Sequence, residues 1–269
     1  MEKLIITVAP NGGLPTKDHN PGVPVTPEEI IEQGVACCEA GASVLHFHAR
    51  DKDQKGCFDY EFTKKVLEGL RKRCDIIVQP TSGGWVDKEI RIQAADLKPD
   101  MMSLNVGSIN FRGRVYINSP PDVDYLAEKM LQYGVKPEIE CYDFSHVEAG
   151  IDLIDRGLIE KPALFNFVLG IKNTISYSPK HLINMIDMVP PGNLWNVIGI
   201  GRHQLNTQTL AIVLGGNCRV GLEDNLYYSH RVLATNPQLV ERAVRLAKEL
   251  QREVATPAEA RKILGIKNS

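Results

Sequence analysis

Two histidines separated by a single residue lie in an apolar run of the sequence, VLHFHAR at 44–50. In a β-strand, alternate side chains project to the same face, so His46 and His48 point the same way. Two neutral imidazoles on one strand face can ligate a transition metal. The structural alternative is that both are core residues, but each imidazole would then need its own hydrogen-bond partner in a desolvated place. The spacing therefore predicts a metal site.

A catalytic zinc ion usually has three protein ligands and one open position. Two glutamates could supply the third ligand, Glu140 in PEIECYD and Glu223 in RVGLED, because each lies in a strand-like segment. Glu223 shares strand parity with Arg219 and can face inward with it. Spacing alone does not choose between the two glutamates. Asp224 alternates away from Glu223, and only a bend at the strand end would bring it inward.

Further residues, mostly polar, lie at the ends of other strand-like segments and are candidates for substrate contacts. Each has a structural alternative, since buried glutamates can pair with Arg or Lys and glycine-rich segments can be simple turns. The candidates are Thr81, Ser82, Gly83, Gly84, Ser103, Asn105, Glu138, Tyr142, Arg202, His203 and Gln204.

Strand-like and helix-like segments alternate along the whole chain. The segment 26–41 is a typical helix, with Thr26 as the expected N-cap, Pro27 at the first helical position and Gly41 near the end. Seven helices are expected between strands and an eighth at the end of the chain. The predicted strands are 3–10, 43–50, 75–81, 101–107, 136–143, 163–170, 194–201 and 218–224.

This alternation is typical of a parallel sheet. Eight repeats in a chain of 269 residues match the size of a TIM barrel, whose catalytic groups lie at the C-terminal ends of the strands. The rival, a doubly wound open sheet, usually has a glycine-rich phosphate loop that leads directly into a helix. Here APNGGLPT leads into a long polar loop instead. We therefore predict an α/β fold, a TIM (β/α)8 barrel, as a single domain over 1–269.

Composition is ordinary for a globular protein, with 43% hydrophobic and 24% charged residues and a formal net charge of −2. That charge gives no electrostatic basis for binding nucleic acid or an anionic membrane. The six cysteines show no CxxC spacing and suit a reducing compartment. The apolar run in MEKLIITVAP is too short for a signal peptide or a membrane span, so we expect a cytoplasmic protein.

Seven segments in their order along the chain resemble the β-keto acid cleavage enzymes, the family typified by 3-keto-5-aminohexanoate cleavage enzyme. They are HFHAR, QPTSGG, LNVGSINF, PEIECYD, FVLGI, GIGRHQ and RVGLEDN. The resemblance runs from LIITVAP to ATPAEARKILGI and so covers nearly the whole chain. It implies a TIM barrel that binds zinc and uses acetyl-CoA as co-substrate. It also implies that His46, His48 and Glu223 are the zinc ligands, which selects Glu223 over Glu140.

The same resemblance implies roles for further residues. Thr81, Gly84 and Ser103 would contact the β-keto acid, Asp224 with Arg219 would be an acid–base dyad, and Glu140 would be an additional polar group. Leu14 stands where the relative that acts on an amino-substituted substrate has a glutamate for the ammonium group. Because leucine cannot compensate a cation, we expect a neutral or apolar acyl group.

The implied reaction joins a β-keto acid to acetyl-CoA and cleaves the adduct by retro-Claisen chemistry into acetoacetate and a new acyl-CoA. Zinc would polarise the ketone, and Asp224, kept ionised by Arg219, would take the C2 proton. CoA would lie across the barrel mouth, near the loops after the sixth to eighth strands and Arg202. The resemblance also implies a homotetramer.

Two other functions remain open from the sequence. Metal-dependent hydrolases of the amidohydrolase type also place an HxH motif on a barrel strand, but on the first strand, with further histidines from the fifth and sixth. Here the motif lies on the second predicted strand, and ALFNFVLG in the sixth contains no histidine. A non-catalytic barrel that binds a keto acid would keep the metal and the ligand without turnover.

Overall fold

The computed structural model describes residues 1–111 and 113–267. Its centre is one sheet of eight parallel strands with helices around it. We number these strands in chain order as β1 Ile6–Val8, β2 Val44–Phe47, β3 Ile77–Pro80, β4 Met101–Asn105, β5 Lys136–Cys141, β6 Leu164–Leu169, β7 Leu194–Gly199 and β8 Asn217–Val220.

The hydrogen-bonded strand order is β3-β2-β1-β8-β7-β6-β5-β4, and every neighbouring pair is parallel. The two outer strands, β3 and β4, lie against each other. Side chains join them there, since Val78 N–H donates to Asp100 Oδ2 at 2.9 Å and Ser82 N–H donates to Ser103 Oγ at 3.2 Å. The sheet is thereby a nearly closed barrel, and the predicted TIM (β/α)8 fold is confirmed.

Seven helices connect consecutive strands. Thr26 caps the first of them in a capping box with Glu29, as its sequence predicts. In the described residues two helices, rather than the single predicted one, follow β8. The helices are α1 Pro27–Glu39, α2 Tyr60–Arg71, α3 Lys88–Ile92, α4 Pro120–Tyr133, α5 Phe144–Asp155, α6 Pro179–Met188, α7 Gln204–Leu214, α8 Asn236–Glu249 and α9 Pro257–Leu264.

The additional helix, α9, closes the N-terminal end of the barrel. Its Ala260 and Leu264 are fully buried in a small cluster with the first residues of the strands, among them Val44, Ile77 and Met101. The larger apolar core lies between the barrel and the surrounding helices, where Leu45 and Phe47 are fully buried. The residues that alternate with Leu45 and Phe47 face the barrel interior. Because α9 covers the N-terminal end of the barrel, catalytic groups are expected at its C-terminal end.

All eight strands end earlier than predicted. The two largest differences, at the ends of β2 and β8, concern segments that carry site residues. After β2, the pair Ala49–Arg50 turns aside and pairs in antiparallel fashion with Gly56–Cys57. The predicted strand 218–224 ends at Val220. Gly221 then adopts φ +137°, where a Cβ would overlap the backbone of Ala9, and the chain turns sharply.

This turn corrects the parity argument for Glu223. Strand alternation does not extend to that residue, because the chain has left the sheet three residues earlier. The N–H groups of Asp224 and Asn225 both bond to the carbonyl oxygen of Gly221. The turn is the bend that an inward-facing Asp224 requires, and it brings Glu223 and Asp224 to the mouth together.

Two further antiparallel strand pairs lie outside the barrel, Ile109–Phe111 with Arg114–Tyr116 and Tyr227–Ser229 with Val232–Leu233. In the described part of the chain, no helix is both long and apolar enough to span a bilayer. All six cysteines are free thiols.

Candidate active site

A cavity of about 550 Å³ opens at the C-terminal ends of the strands. Nine of the ten residues predicted for the site line it. They are Leu14, His46, His48, Thr81, Gly84, Glu140, Arg219, Glu223 and Asp224. The tenth, Ser103, is 1% exposed and lies behind Thr81 in the wall. This volume is in the usual range for a site that binds a small organic molecule.

His46, His48 and Glu223 form a group that could hold a metal ion, with their ligand atoms within 4.8 Å of one another. The Nε2 atoms of the two histidines are 3.2 Å apart, and the Glu223 carboxylate oxygens lie 3.6 Å from His46 Nε2 and 3.5 Å from His48 Nε2. Tetrahedral ligands about 2.0–2.1 Å from a zinc ion would be roughly 3.4 Å apart. The separations and the nitrogen and oxygen donors therefore fit such an ion.

Each histidine is held by an amide side chain. His46 Nδ1 lies 2.9 Å from Gln79 Oε1 on the neighbouring strand. Asn11 bonds to both backbone groups of His48, accepting from its N–H at 3.1 Å and donating to its carbonyl oxygen at 2.9 Å. Burial lowers the pKa of His46 to about 3, with Glu223 opposing this effect. His46 is therefore neutral, as a metal ligand must be.

Glu223 is placed by its turn and by a glycine. Gly12 has φ +60°, and a Cβ on it would overlap the Glu223 side chain. Glu223 Oε2 is buried and makes no hydrogen bond within the described residues. Burial acts to raise the pKa of Glu223, but Arg219 and the two histidines outweigh it and hold that pKa well below its usual range. The group is an ionised carboxylate with a free oxygen beside the two imidazoles.

Arg219, one member of the predicted dyad, contacts both the metal-ligand group and Asp224, the other member of the dyad. Its Nη2 is 2.7 Å from Glu223 Oε1, and its Nε and Nη2 donate to the two oxygens of Asp224 at 2.9 and 3.0 Å. Burial raises the pKa of Asp224 to about 6, although Arg219 acts to lower it. The expected pairing is present, but burial outweighs the guanidinium. A carboxylate with that pKa is mostly ionised at neutral pH and close to the best range for a general base.

Glu140 lies on the other side of Arg219, with Oε1 3.7 Å from Nη1. Burial raises its pKa to about 7, and the Tyr142 hydroxyl donates to its Oε2 at 3.2 Å. The structure thus groups Glu223 rather than Glu140 with the histidines. Glu140 remains as a polar group in the cavity wall that can exchange a proton near neutral pH.

The loop after β3 forms a polar wall of the cavity. Thr81 Oγ1 accepts from Gly83 N–H at 2.9 Å and is 3.5 Å from Ser103 Oγ. A Cβ on Gly84 would overlap the ring of Phe58, so the loop packs closely there. Leu14 lies in the loop after β1 and is 46% exposed. Apolar side chains complete the lining, among them Phe58, Trp85, Ile109, Phe111, Val168, Ile171, Ile198 and Ile200.

Sequence reasoning missed Gln79, Asn11, Gly12 and Tyr116. Gln79 shares parity with Thr81 in the third predicted strand, which could have indicated that it faces the interior. Tyr116, whose hydroxyl accepts from Gly84 N–H, carried no signal because it comes from an excursion after β4. Arg202, expected near CoA, is exposed in a short turn after β7 and does not line the cavity.

A family model described as beta-keto acid cleavage enzyme matches residues 3–266. The chain is 45% identical over 273 residues to 3-keto-5-aminohexanoate cleavage enzyme of Fusobacterium nucleatum, covering 99% of each chain. It is 40% identical over 272 residues to 3-oxoadipate:acetyl-CoA acetyltransferase of Cupriavidus necator, covering 98% of this chain and 95% of that protein. The solved structure of ObcA with oxaloacetate has the same fold, with a TM-score of 0.80 at 20% identity over 92% of this chain and 68% of that one. The present chain belongs to the β-keto acid cleavage enzyme family.

Proposed function

We propose that this protein is a zinc-dependent enzyme that converts a β-keto acid and acetyl-CoA into acetoacetate and the acyl-CoA of the remaining group. The observation that carries the proposal is the contact of Arg219 with both Glu223 and Asp224, which places a candidate base directly beside a candidate metal site. The names of the relatives from Fusobacterium and Cupriavidus support the keto acid and acetyl-CoA as substrates.

In this proposal His46, His48 and Glu223 hold the zinc ion. When bound, zinc would supply Lewis-acid activation of the ketone. Asp224 accepts the C2 proton at Oδ1 or Oδ2, and Arg219 keeps both oxygens in place through its two donors. The reaction needs no side-chain nucleophile, because the CoA thiolate released from acetyl-CoA takes the departing acyl group.

In this proposal the polar wall binds the keto acid. Thr81 and Gly84 line the cavity, and Ser103 supports them from behind, where its hydroxyl accepts the Ser82 N–H. The remaining walls are apolar, and Leu14 places no charge at the loop after β1. We therefore infer a neutral or apolar acyl group. CoA would lie over the loops after β6, β7 and β8, and a cytoplasmic homotetramer remains our prediction.

Two rival functions make different demands. An amidohydrolase-type enzyme would draw further histidines from the fifth and sixth strands, but β5 and β6 contain none. Its HxH motif would lie on the first strand, whereas here His46 is in β2 and His48 directly follows it. A keto acid-binding barrel would not need a buried base, yet Asp224 lies at the cavity beside Arg219. These observations favour acyl exchange over both.

An isotope experiment tests the proposed function. The zinc-loaded protein is mixed with acetyl-CoA labelled with ¹³C at the acetyl carbonyl. A panel of β-keto acids whose acyl groups carry no charge is then supplied as the second substrate. We expect label at C3 of acetoacetate and an unlabelled new acyl-CoA, detected by NMR and mass spectrometry. Free acids formed without CoA would indicate hydrolysis, and no product from any acid would indicate binding alone. Asp224→Asn should abolish acetoacetate formation, and full activity in that variant would remove Asp224 from its role.

A further inference from the structure

Three polar side chains converge on one point in the cavity wall. A Cβ placed on Gly83 would lie 3.2 Å from Asn105 Nδ2, 3.4 Å from Thr81 Oγ1 and 3.5 Å from Tyr116 Oη. All four residues line the cavity. Because glycine has no Cβ, the three polar atoms border a space that stays open to the cavity. We call Thr81, Asn105 and Tyr116 the donor cluster.

Asn105 and Tyr116 have hydrogen-bonding capacity that the protein leaves unused. Asn105 is 2% exposed, its Oδ1 is buried without a partner, and its side chain bonds to none of the described residues. The Tyr116 hydroxyl accepts Gly84 N–H at 2.9 Å. In the described part of the chain, this hydroxyl accepts a hydrogen bond but donates none. Its own proton is therefore available to a bound molecule.

The surroundings of Tyr116 favour an anionic oxygen. The guanidinium of Arg91 lies 5.5 Å from the Tyr116 ring centroid, is almost fully buried, and bonds to Ser82 O and Asn118 Oδ1. It thus places a positive charge behind the donor cluster without entering the cavity. Burial raises the pKa of Tyr116, so its hydroxyl stays protonated and can act as a donor.

We propose that the Tyr116 hydroxyl donates a hydrogen bond to the carboxylate of the β-keto acid, and that Asn105 shares this contact. The proposal rests on the proposed function in that its ligand is a β-keto acid. It adds two substrate-binding residues to Thr81 and Gly84, which also line the cavity. It also changes the role of Gly84. The Gly84 N–H donates to Tyr116 Oη and is therefore not free for the substrate. The Tyr116 hydroxyl donates to the substrate instead of the Gly84 amide.

Binding of two matched ligands tests this proposal without turnover. Acetoacetate offers a charged carboxylate to the donor cluster, whereas acetoacetamide has nearly the same shape but carries no negative charge. Dissociation constants of both are measured by calorimetry on the zinc-loaded protein, without CoA, for wild type, Tyr116→Phe and Asn105→Ala. Tyr125→Phe is the control, since that ring lies on α4 beside Lys88 and Lys129, outside the cavity.

We expect Tyr116→Phe to weaken acetoacetate binding about tenfold to a hundredfold, the usual effect of losing a hydrogen bond to a charged group. Acetoacetamide binding should weaken clearly less in the same variant, because a hydrogen bond between neutral groups contributes less. Equal weakening of both ligands would mean that Tyr116 only supports the loop through Gly84, and no change for either would mean that it does not touch the ligand. Both results overturn the proposal. Failure of the proposed function is seen separately, as absent acetyl-CoA exchange with ligand binding intact.

Discussion

Gln79 faces His46 directly across the pairing of β3 with β2, and the Gln79 Oε1 to His46 Nδ1 distance is 2.9 Å. An amide oxygen can only accept, so Nδ1 of His46 carries the proton and Nε2 keeps its lone pair. Nε2 is the atom that faces His48 and Glu223. One buried amide therefore sets the tautomer that a metal ligand at His46 Nε2 would require.

Replacing Gln79 should weaken metal binding without removing a ligand. In Gln79→Leu the imidazole of His46 loses its orienting partner, and changes of this kind typically cost about 10–100-fold in metal affinity. The zinc dissociation constant is measured by competition with a chromogenic chelator. Gln132→Leu is the control, because Gln132 is exposed on α4. An unchanged dissociation constant in Gln79→Leu would show that His46 is oriented by packing alone.

A pair of glycines separates backbone strain from damage to the metal site. Gly12 has φ +60° and Gly157 has φ +76°, so alanine at either position is strained by roughly 1 kcal/mol. Only at position 12 would the new methyl overlap Glu223, since nothing lies within 4 Å at position 157. We expect similar losses of melting temperature in Gly12→Ala and Gly157→Ala from strain, but a large loss of zinc stoichiometry in Gly12→Ala alone. Full zinc content in Gly12→Ala would contradict this placement of Glu223.

Local sequence patterns predicted the elements because their causes are local. The apolar runs at 43–50 and 163–170 became β2 and β6, and Thr26 with Pro27 marked the start of α1. The parity of His46 and His48 was likewise sufficient to place both imidazoles on the interior face. In each case the physical signal lies within a few residues of the feature that it predicts.

Contacts between distant segments could not be obtained in this way. The bend that brings in Asp224 depends on Gly221 passing close to the backbone of Ala9, more than two hundred residues earlier. The pairing of His46 with Gln79 depends on strand register, which no single segment contains. Spacing left Glu140 and Glu223 as equal candidates for the same reason, and only the family resemblance chose between them.

Lys136 provides a prediction for pH dependence of stability. Burial lowers its pKa from 10.5 to about 8, and its Nζ donates to Glu160 O at the base of the barrel. Between pH 8 and 10.5 the unfolded chain binds more protons at this site than the folded one, so the contribution of Lys136 to the free energy of unfolding rises with pH there. Lys136→Met should be more stable than wild type at pH 7 by about 1–3 kcal/mol.

Denaturant unfolding of both proteins from pH 7 to 10 measures this difference. The advantage of Lys136→Met should shrink as the pH rises above 8, because the wild-type lysine then becomes neutral in the folded state. Other titrating groups are common to both proteins and cancel in the comparison. A difference that stays constant across the range would show that the buried amine is not the cause.

Leu14 is the residue expected to select the acyl group. It lies on the loop after β1, lines the cavity and brings no charge to it. In Leu14→Glu a carboxylate would stand there to compensate an ammonium group on the substrate. We expect kcat/KM for 5-amino-3-oxohexanoate to rise at least tenfold and kcat/KM for 3-oxohexanoate to fall.

The comparison of two substrates guards against a general effect of the added charge. Leu131→Glu places the same charge on an exposed part of α4 and should leave both kcat/KM values unchanged. If Leu14→Glu lowers activity toward both acids equally, the carboxylate has only disturbed the neighbouring metal site, because Gly13 lies close to His48. If it changes neither, selection of the acyl group lies with the apolar wall formed by residues such as Val168 and Ile198. Only opposite changes in the two kcat/KM values place selection at Leu14.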